Sequence, residues 1–274
     1  MFDKCNDARI CDPCLLLTPA LEIVITAGRA ILEIYEGGFQ VENKEDNTPL
    51  TEADLAAHKI IKNGLREITS NLPVLTEEST KVSFETRSEW NRYWLVDPLD
   101  GTQEFIRRSG EFSVNVALIE NHEPVLGIIY APVLGAYYYA CRGQGAYKRS
   151  ATGIPKQIHV RRWDGGKATV VCGTATDIEK SLQNLLNQLP EYDVVRLGSA
   201  LKSCMVAEGK ADLYARLGPT SEWDTAAAQC IVEEAGGQIT TTDLQPLRYN
   251  TRKSLLNPHF LVFGETEKKW SEYL

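Results

Sequence analysis

Basic charge is scarce in this chain: 29 lysines and arginines stand against 37 aspartates and glutamates, a formal charge of −8. Nucleic-acid polymers normally require a basic face, so the imbalance excludes that class of partner. An anionic small molecule would need local help from metal ions or a few placed cations. The apolar stretches are broken by charge, glycine or proline before the roughly 20 residues a membrane span needs. The leading MFDKCNDARICDPC has no signal-type apolar region. The expectation is therefore a cytoplasmic chain without an integral membrane segment, with peripheral membrane contact left open and a monomer favoured over an oligomer. There is no internal repeat and no low-complexity segment.

An even cysteine complement is also missing. Of seven cysteines, Cys141, Cys172, Cys204 and Cys230 lie in apolar or strand-like contexts that suit buried thiols, and a disulfide scaffold is not expected. Cys5, Cys11 and Cys14 crowd the first 17 residues, and Cys11-Asp-Pro-Cys14 has the spacing of a zinc knuckle or redox pair. With no fourth ligand and no βαβ pattern beside it, a plain terminal extension is favoured over either role.

What is present is a core: 43% of the 274 residues are hydrophobic, enough for one large or two moderate domains. The first helix is expected from 18 to 36, with Thr18 as cap and Pro19 in its first turn. Leu21, Val24, Ile25, Gly28, Leu32 and Tyr35 would form its inner face. A second is expected over 51–69, with Leu55, Ile60, Ile61, Leu65 and Ile68 inward and Thr51-x-x-Asp54 as a capping box. Strand signals follow at 73–75, 94–96, 112–119, 125–130 and 137–140, the makings of a mainly antiparallel sheet. After a polar, glycine-containing stretch at 142–153, strands and helices alternate to the end. That change predicts a division into an extension (1–17), an N-terminal half (18–150) carrying the metal site, and a C-terminal α/β half (151–274).

The chemistry concentrates in WLVDPLDGTQEF, residues 94–105. Asp97, Asp100 and the Leu99 carbonyl at one sharp corner form an oxygen-rich set that suits hard cations such as Mg²⁺. Pro98 restrains the turn, and Gly101 leaves its amide open to a phosphate. An Asp-Gly turn alone would read as a solvated corner. Glu77-Glu78 after one strand, and Trp223-Asp224-Thr225 opening a late helix, give the pair company.

Those three segments, LTEES (75–79), DPLDGT (97–102) and WDTAA (223–227), resemble the signature set of the inositol monophosphatase superfamily of Mg²⁺-dependent, lithium-sensitive phosphatases. The similarity runs in order from about Leu21 to Phe263. Within the superfamily it is narrowest to the bacterial 3′(2′),5′-bisphosphate nucleotidases, through NTPLTEAD (47–54), DGTQEFI (100–106), GEFSVNVALI (110–119), GIIYAPV (127–133) and GSALKSCMVAEGKADLYAR (198–216). The resemblance implies a layered α/β/α/β/α sandwich and removal of the 3′-phosphate from adenosine 3′,5′-bisphosphate, a small bisphosphate nucleotide, with the sulfated form as a second substrate.

It also implies roles. Glu77, Asp97 and the Leu99 carbonyl would hold one Mg²⁺, and Asp97, Asp100 and Asp224 a second. Asp54, Thr102 and Glu77 would serve catalysis, with Thr102 orienting a water and Asp54 taking the hydroxyl's proton. Gly101, Thr102, Ser199, Lys202 and Arg216 would bind the substrate, the last three receiving the phosphate that is not cleaved. Asp54 as a mere cap, and Ser199, Lys202 and Arg216 as a helix start with solvated charges, remain alternatives. So do an inositol or fructose bisphosphate phosphatase on the same scaffold, and an inactive nucleotide-binding protein.

Overall fold

A computed structural model of the chain describes residues 12–43, 49–79, 82–174, 180–266 and 270–273. Two long helices form the first layer: α1, Leu17–Gly37, and α2, Glu52–Ile68. Between them lies a two-stranded antiparallel ribbon, β1 (Val41–Asn43) with β2 (Pro49–Thr51).

Thr18 does not cap α1. A 3₁₀ turn over Pro13–Leu16, capped by the Asp12 side chain, runs straight into the helix, so Leu16 takes the boundary position. The buried stripe is Ala20, Val24, Ala27, Gly28 and Ile31, rotated from the expected face because small residues allow close approach and leave Leu21, Ile25, Leu32 and Tyr35 at its margins. In α2 the buried stripe is Ala53, Asp54, Ala57, Ile61 and Leu65, while Leu55 is half exposed. The capping box forms between Thr51 and Asp54.

The second layer is a seven-stranded sheet in sequential order: β3 (Val74–Thr76), β4 (Arg92–Asp100), β5 (Ser113–Glu120), β6 (Glu123–Ala131), β7 (Ala136–Cys141), β8 (Ala146–Ser150) and β9 (Lys156–Ile158). All its pairings are antiparallel except β3 with β4. The stretch expected as polar loop at 142–153 contains β8, whose outward residues are polar because it lies near the sheet edge.

A five-stranded sheet forms the fourth layer, in the order β11 (Tyr192–Arg196), β10 (Ala168–Cys172), β12 (Leu213–Arg216), β14 (Phe260–Phe263), β13 (Gln238–Thr241). It is mixed, with β10 parallel to both its neighbours and β14 antiparallel to both of its own. Helices α5 (Leu201–Ala207) and α6 (Glu222–Glu234) lie between the sheets, and their residues join both in one apolar core. α6 settles directly on β6 because Gly127 has no side chain: a Cβ there would come within 2.4 Å of the Ala227 carbonyl oxygen. The outer face of the second sheet is covered by α4 (Lys180–Leu186) and by Trp270 stacked on Trp163. A short helix, α3 (Thr102–Ile106), follows β4 directly. The layers thus run α/β/α/β/α.

One sequence expectation is corrected. Cys14 and Cys141 form a disulfide that ties the 3₁₀ turn before α1 to the end of β7, so Cys141 is not a thiol and Cys14 is not half of a pair with Cys11. Their 127-residue separation gives no local spacing signal. Cys5 and Cys11 lie outside the described residues, while Cys172, Cys204 and Cys230 are buried free thiols. By length and composition alone the helical stretch Pro13–Gly37 could cross a membrane, the only one among the described residues, a test that core helices of soluble proteins also pass. Its apolar stripe packs into the core shared by α2 and the seven-stranded sheet.

Candidate active site

β4 does not stop at its first aspartate. It continues through Asp97 to Asp100, with its register against β5 shifting between the two. Such a bulge re-aims side chains at a strand end. Asp97 is 2% exposed and its Oδ1 accepts a hydrogen bond from the Leu99 amide at 3.0 Å. Asp100, partly open, accepts through one oxygen from Asn115 Nδ2 at 3.0 Å and from the Ala200 amide at 2.6 Å. From α6, Asp224 caps its own helix, accepting from the Ser221 amide at 2.8 Å, and its carboxyl lies within electrostatic reach of Asp97. Glu77 follows β3 on a 3₁₀ turn, within electrostatic reach of Asp97 and Asp224.

Acids so placed resist ionisation. Burial first, and then Glu77, Asp100 and Asp224, hold the Asp97 carboxyl well above the carboxylate range. Asp100 is raised by burial, against the pull of Lys202 and its hydrogen bonds. Asp224 is pushed up to about 8, by burial and then by Asp100. An oxygen-only donor set with this much unrelieved repulsion fits a hard divalent cation. Among the described residues, no three acidic, histidine or cysteine side chains already close into a ligand cluster, so the fit rests on donor chemistry and charge.

A carboxyl whose pKa is raised by folding keeps its proton in the fold and loses it in the unfolded chain. Its stabilising contribution is complete in acid and lost as pH climbs through the raised value. In chelator, the chain is expected to melt at falling temperature between about pH 4 and 8, the span from the ordinary aspartate value to the raised value of Asp224. Glu222, raised to about 7 by burial, adds with the same sign. The diagnostic is therefore the part of the slope that Asp224→Asn removes and that Mg²⁺ suppresses in the native chain. Differential scanning calorimetry reads it; a slope unchanged by both would contradict the reading.

Gly101 caps α3 in the left-handed region, φ +92°, a conformation that favours glycine. Thr102 Oγ1 lies 3.4 Å from Asp54 Oδ1 and 3.3 Å from the Leu99 carbonyl oxygen, long contacts for one hydroxyl proton between two acceptors. Asp54 divides its work by atom. Oδ2 receives the Thr51 amide at 2.7 Å and the Thr51 hydroxyl at 2.6 Å, and Oδ1 faces Thr102. Cap and partner are both present.

Ser199, Lys202 and Arg216 line, together with Asp100 and Asp224, a cavity of about 310 Å³. The expected helix-start donors are partly engaged: Ala200 gives its amide to Asp100, and α5 begins only at Leu201. Ser199 is held at φ +49°, and Lys202 Nζ donates to its carbonyl at 2.6 Å while sitting 5.4 Å from the Tyr214 ring centre. Burial lowers the Lys202 pKa against the support of Asp100 and Glu104. Arg216, at the end of β12, donates to the Pro219 carbonyl at 3.0 Å. Sequence reasoning passed over Asn115, whose signal was a polar residue inside the apolar run of β5, and over Glu104 and Thr174, which also line the cavity.

The family model for the inositol monophosphatase family matches residues 15–272. The chain belongs to the inositol monophosphatase family. This family member is 46% identical over 249 residues to the 3′(2′),5′-bisphosphate nucleotidase CysQ of Salmonella typhimurium, covering 90% of this chain and 99% of that one. The crystal structure of CysQ from Bacteroides thetaiotaomicron superimposes with a TM-score of 0.77 at 36% identity, covering 92% and 97% of the two chains. The crystal structure of an IMPase/NADP phosphatase complexed with Mg²⁺ and phosphate shares the fold at a TM-score of 0.73 and 21% identity, covering 89% of each chain. The family is metal-dependent.

Proposed function

We propose that this inositol monophosphatase family member removes the 3′-phosphate from adenosine 3′,5′-bisphosphate, giving AMP and phosphate, and acts likewise on the sulfated form. One observation carries the reading: a single cavity is lined both by the carboxylates Asp100 and Asp224 and by Ser199, Lys202 and Arg216, so metal-type oxygen donors and cationic side chains for two phosphates share one space. The identity to CysQ over nine tenths of the chain supports it.

Glu77, Asp97 and the Leu99 carbonyl would hold one Mg²⁺, with Asp97, Asp100 and Asp224 holding the other. Bound there, the ions acidify a water and stabilise the departing 3′ oxygen. The chain's own groups do the rest. Thr102 directs the water and passes its hydroxyl proton toward Asp54. The exposed amides of Gly101 and Thr102 meet the phosphate under attack. Lys202, Ser199 and Arg216 fix the spectator 5′-phosphate, which sets the distance from that anchor to the scissile ester.

The deciding experiment measures phosphate release, with Mg²⁺, from adenosine 3′,5′-bisphosphate, inositol 1-phosphate and fructose 1,6-bisphosphate side by side. The bisphosphate nucleotide is expected to have the highest kcat/KM; preference for either sugar phosphate would overturn the assignment.

Lys202→Ala sharpens the test. Loss of a charge-assisted contact, on the order of 1.5–3 kcal/mol, corresponds to roughly tenfold or more in kcat/KM for adenosine 3′,5′-bisphosphate. Adenosine 3′-monophosphate, which lacks the anchored group, is expected to be a poor substrate of the native chain and to lose little further in the variant. Equal losses on both substrates would place Lys202 with Asp100, whose ionisation it also favours, instead of with the spectator phosphate.

A further inference from the structure

Glu104 is out of place in an anion-binding cavity. It shares the cavity lining with Lys202 and Arg216 and lies close enough to Asp100 to hinder that acid's ionisation. A carboxylate beside a phosphate seat weakens phosphate binding, so its presence calls for a different partner on the substrate.

Its position is tightly defined. The side-chain stem is wedged against the turn before α5, where a Cβ on Gly198 would lie only 2.7 Å from Glu104 Cγ. Oε1 accepts a hydrogen bond from the Thr174 hydroxyl at 2.6 Å. Oε2 lies over Gly101, 3.3 Å from where a Cβ on that residue would be. One oxygen is thus held by the protein, and the other is presented beside the backbone assigned to the scissile phosphate.

A carboxylate oxygen in that place can only accept. On a 3′-phosphorylated ribonucleotide the donor nearest the scissile ester is the hydroxyl on the adjacent ribose carbon. The exocyclic amine of the base is at the far end of the nucleoside. Resting on the nucleotidase reading above, we propose that Glu104 Oε2 accepts a hydrogen bond from the ribose hydroxyl vicinal to the scissile phosphate. It is then a specificity-determining residue that selects ribo- over deoxyribonucleotides, with Thr174 as its positioning residue. A site built to hydrogen-bond a substrate hydroxyl rejects the analogue that lacks it, because the acceptor, covered by the bound substrate, is left unpaired.

The test compares kcat/KM for adenosine 3′,5′-bisphosphate with that for 2′-deoxyadenosine 3′,5′-bisphosphate, using the full chain with Mg²⁺. The native chain is expected to prefer the ribonucleotide by roughly tenfold or more, the scale of one hydrogen bond to a charged acceptor. In Glu104→Ala the ratio should collapse toward unity. In Glu104→Gln, whose amide oxygen still accepts, an intermediate ratio is expected. Because the ratio compares two substrates on one protein, a general loss of folding or of phosphate affinity does not move it. Hydrolysis of both substrates without discrimination by the native chain, or a ratio retained in Glu104→Ala, overturns this inference and leaves the nucleotidase reading intact. Hydrolysis of neither overturns both.

Discussion

Exchanging Asp97 for asparagine is expected to lower kcat by roughly 10²–10³-fold or more, the scale of losing one preorganised electrostatic group, while raising the melting temperature of the metal-free chain. Both effects follow from one carboxyl placed at 2% exposure among Glu77, Asp100 and Asp224. Asparagine has nearly the same shape, and its oxygen can keep the bond from the Leu99 amide. Its amide carries no charge, so it no longer repels Asp224, Glu77 and Asp100. The variant therefore loses repulsion without leaving a cavity or an unpaired group. Each kcal/mol relieved moves the midpoint by roughly 2–4 °C in a chain of this size class.

The same change removes the charge on which cation binding depends. Mg²⁺ at about 100 times its dissociation constant stabilises a binding fold by about 2.7 kcal/mol, so Mg²⁺ should raise the melting temperature of the native chain and hardly that of Asp97→Asn. Calorimetry with and without Mg²⁺ separates this from a general folding defect. An active variant, or equal Mg²⁺ stabilisation of both proteins, would remove Asp97 from the proposed metal centre. Native chains accept such instability where function requires it.

Where a feature depends on neighbours in the chain, the sequence made it readable. Thr51 and Asp54, three apart before an apolar periodicity, could be assigned a cap, and the cap is present. β14 begins and ends where its four apolar residues do. Glu77, Asp97, Asp100 and Asp224 come from three separate segments whose acidic character could be noted in advance, while the family motif supplied the reason to join them. Features set by distant partners were invisible. The turn of α1 about its axis depends on the packed sheet, and the Cys14–Cys141 bond joins residues with no local relation. The bulge in β4 shows only against β5, since register belongs to a pair of strands. Ala200 has no side-chain chemistry to flag it, yet its amide holds Asp100.

The second large effect concerns Thr102 and Asp54. Thr102→Ala and Asp54→Asn are each expected to reduce kcat by roughly 10²-fold, the lower end for loss of a positioned proton-transfer group, and the double variant by little more than either. A hydroxyl directs a water only while something takes its own proton, so removing either partner disables the same relay. The 3.4 Å separation is long for a hydrogen bond, and contacts of this kind shorten when the substrate complex forms. Asparagine at position 54 separates the two tasks of the native side chain. Its single carbonyl oxygen can still accept from the Thr51 amide and preserve the cap, whereas its amide group cannot accept from Thr102. Melting temperature should therefore stay near that of the native chain in Asp54→Asn while turnover falls. A cap role alone predicts turnover nearly intact in Asp54→Asn, since asparagine keeps the cap, and effects of the two substitutions that simply multiply.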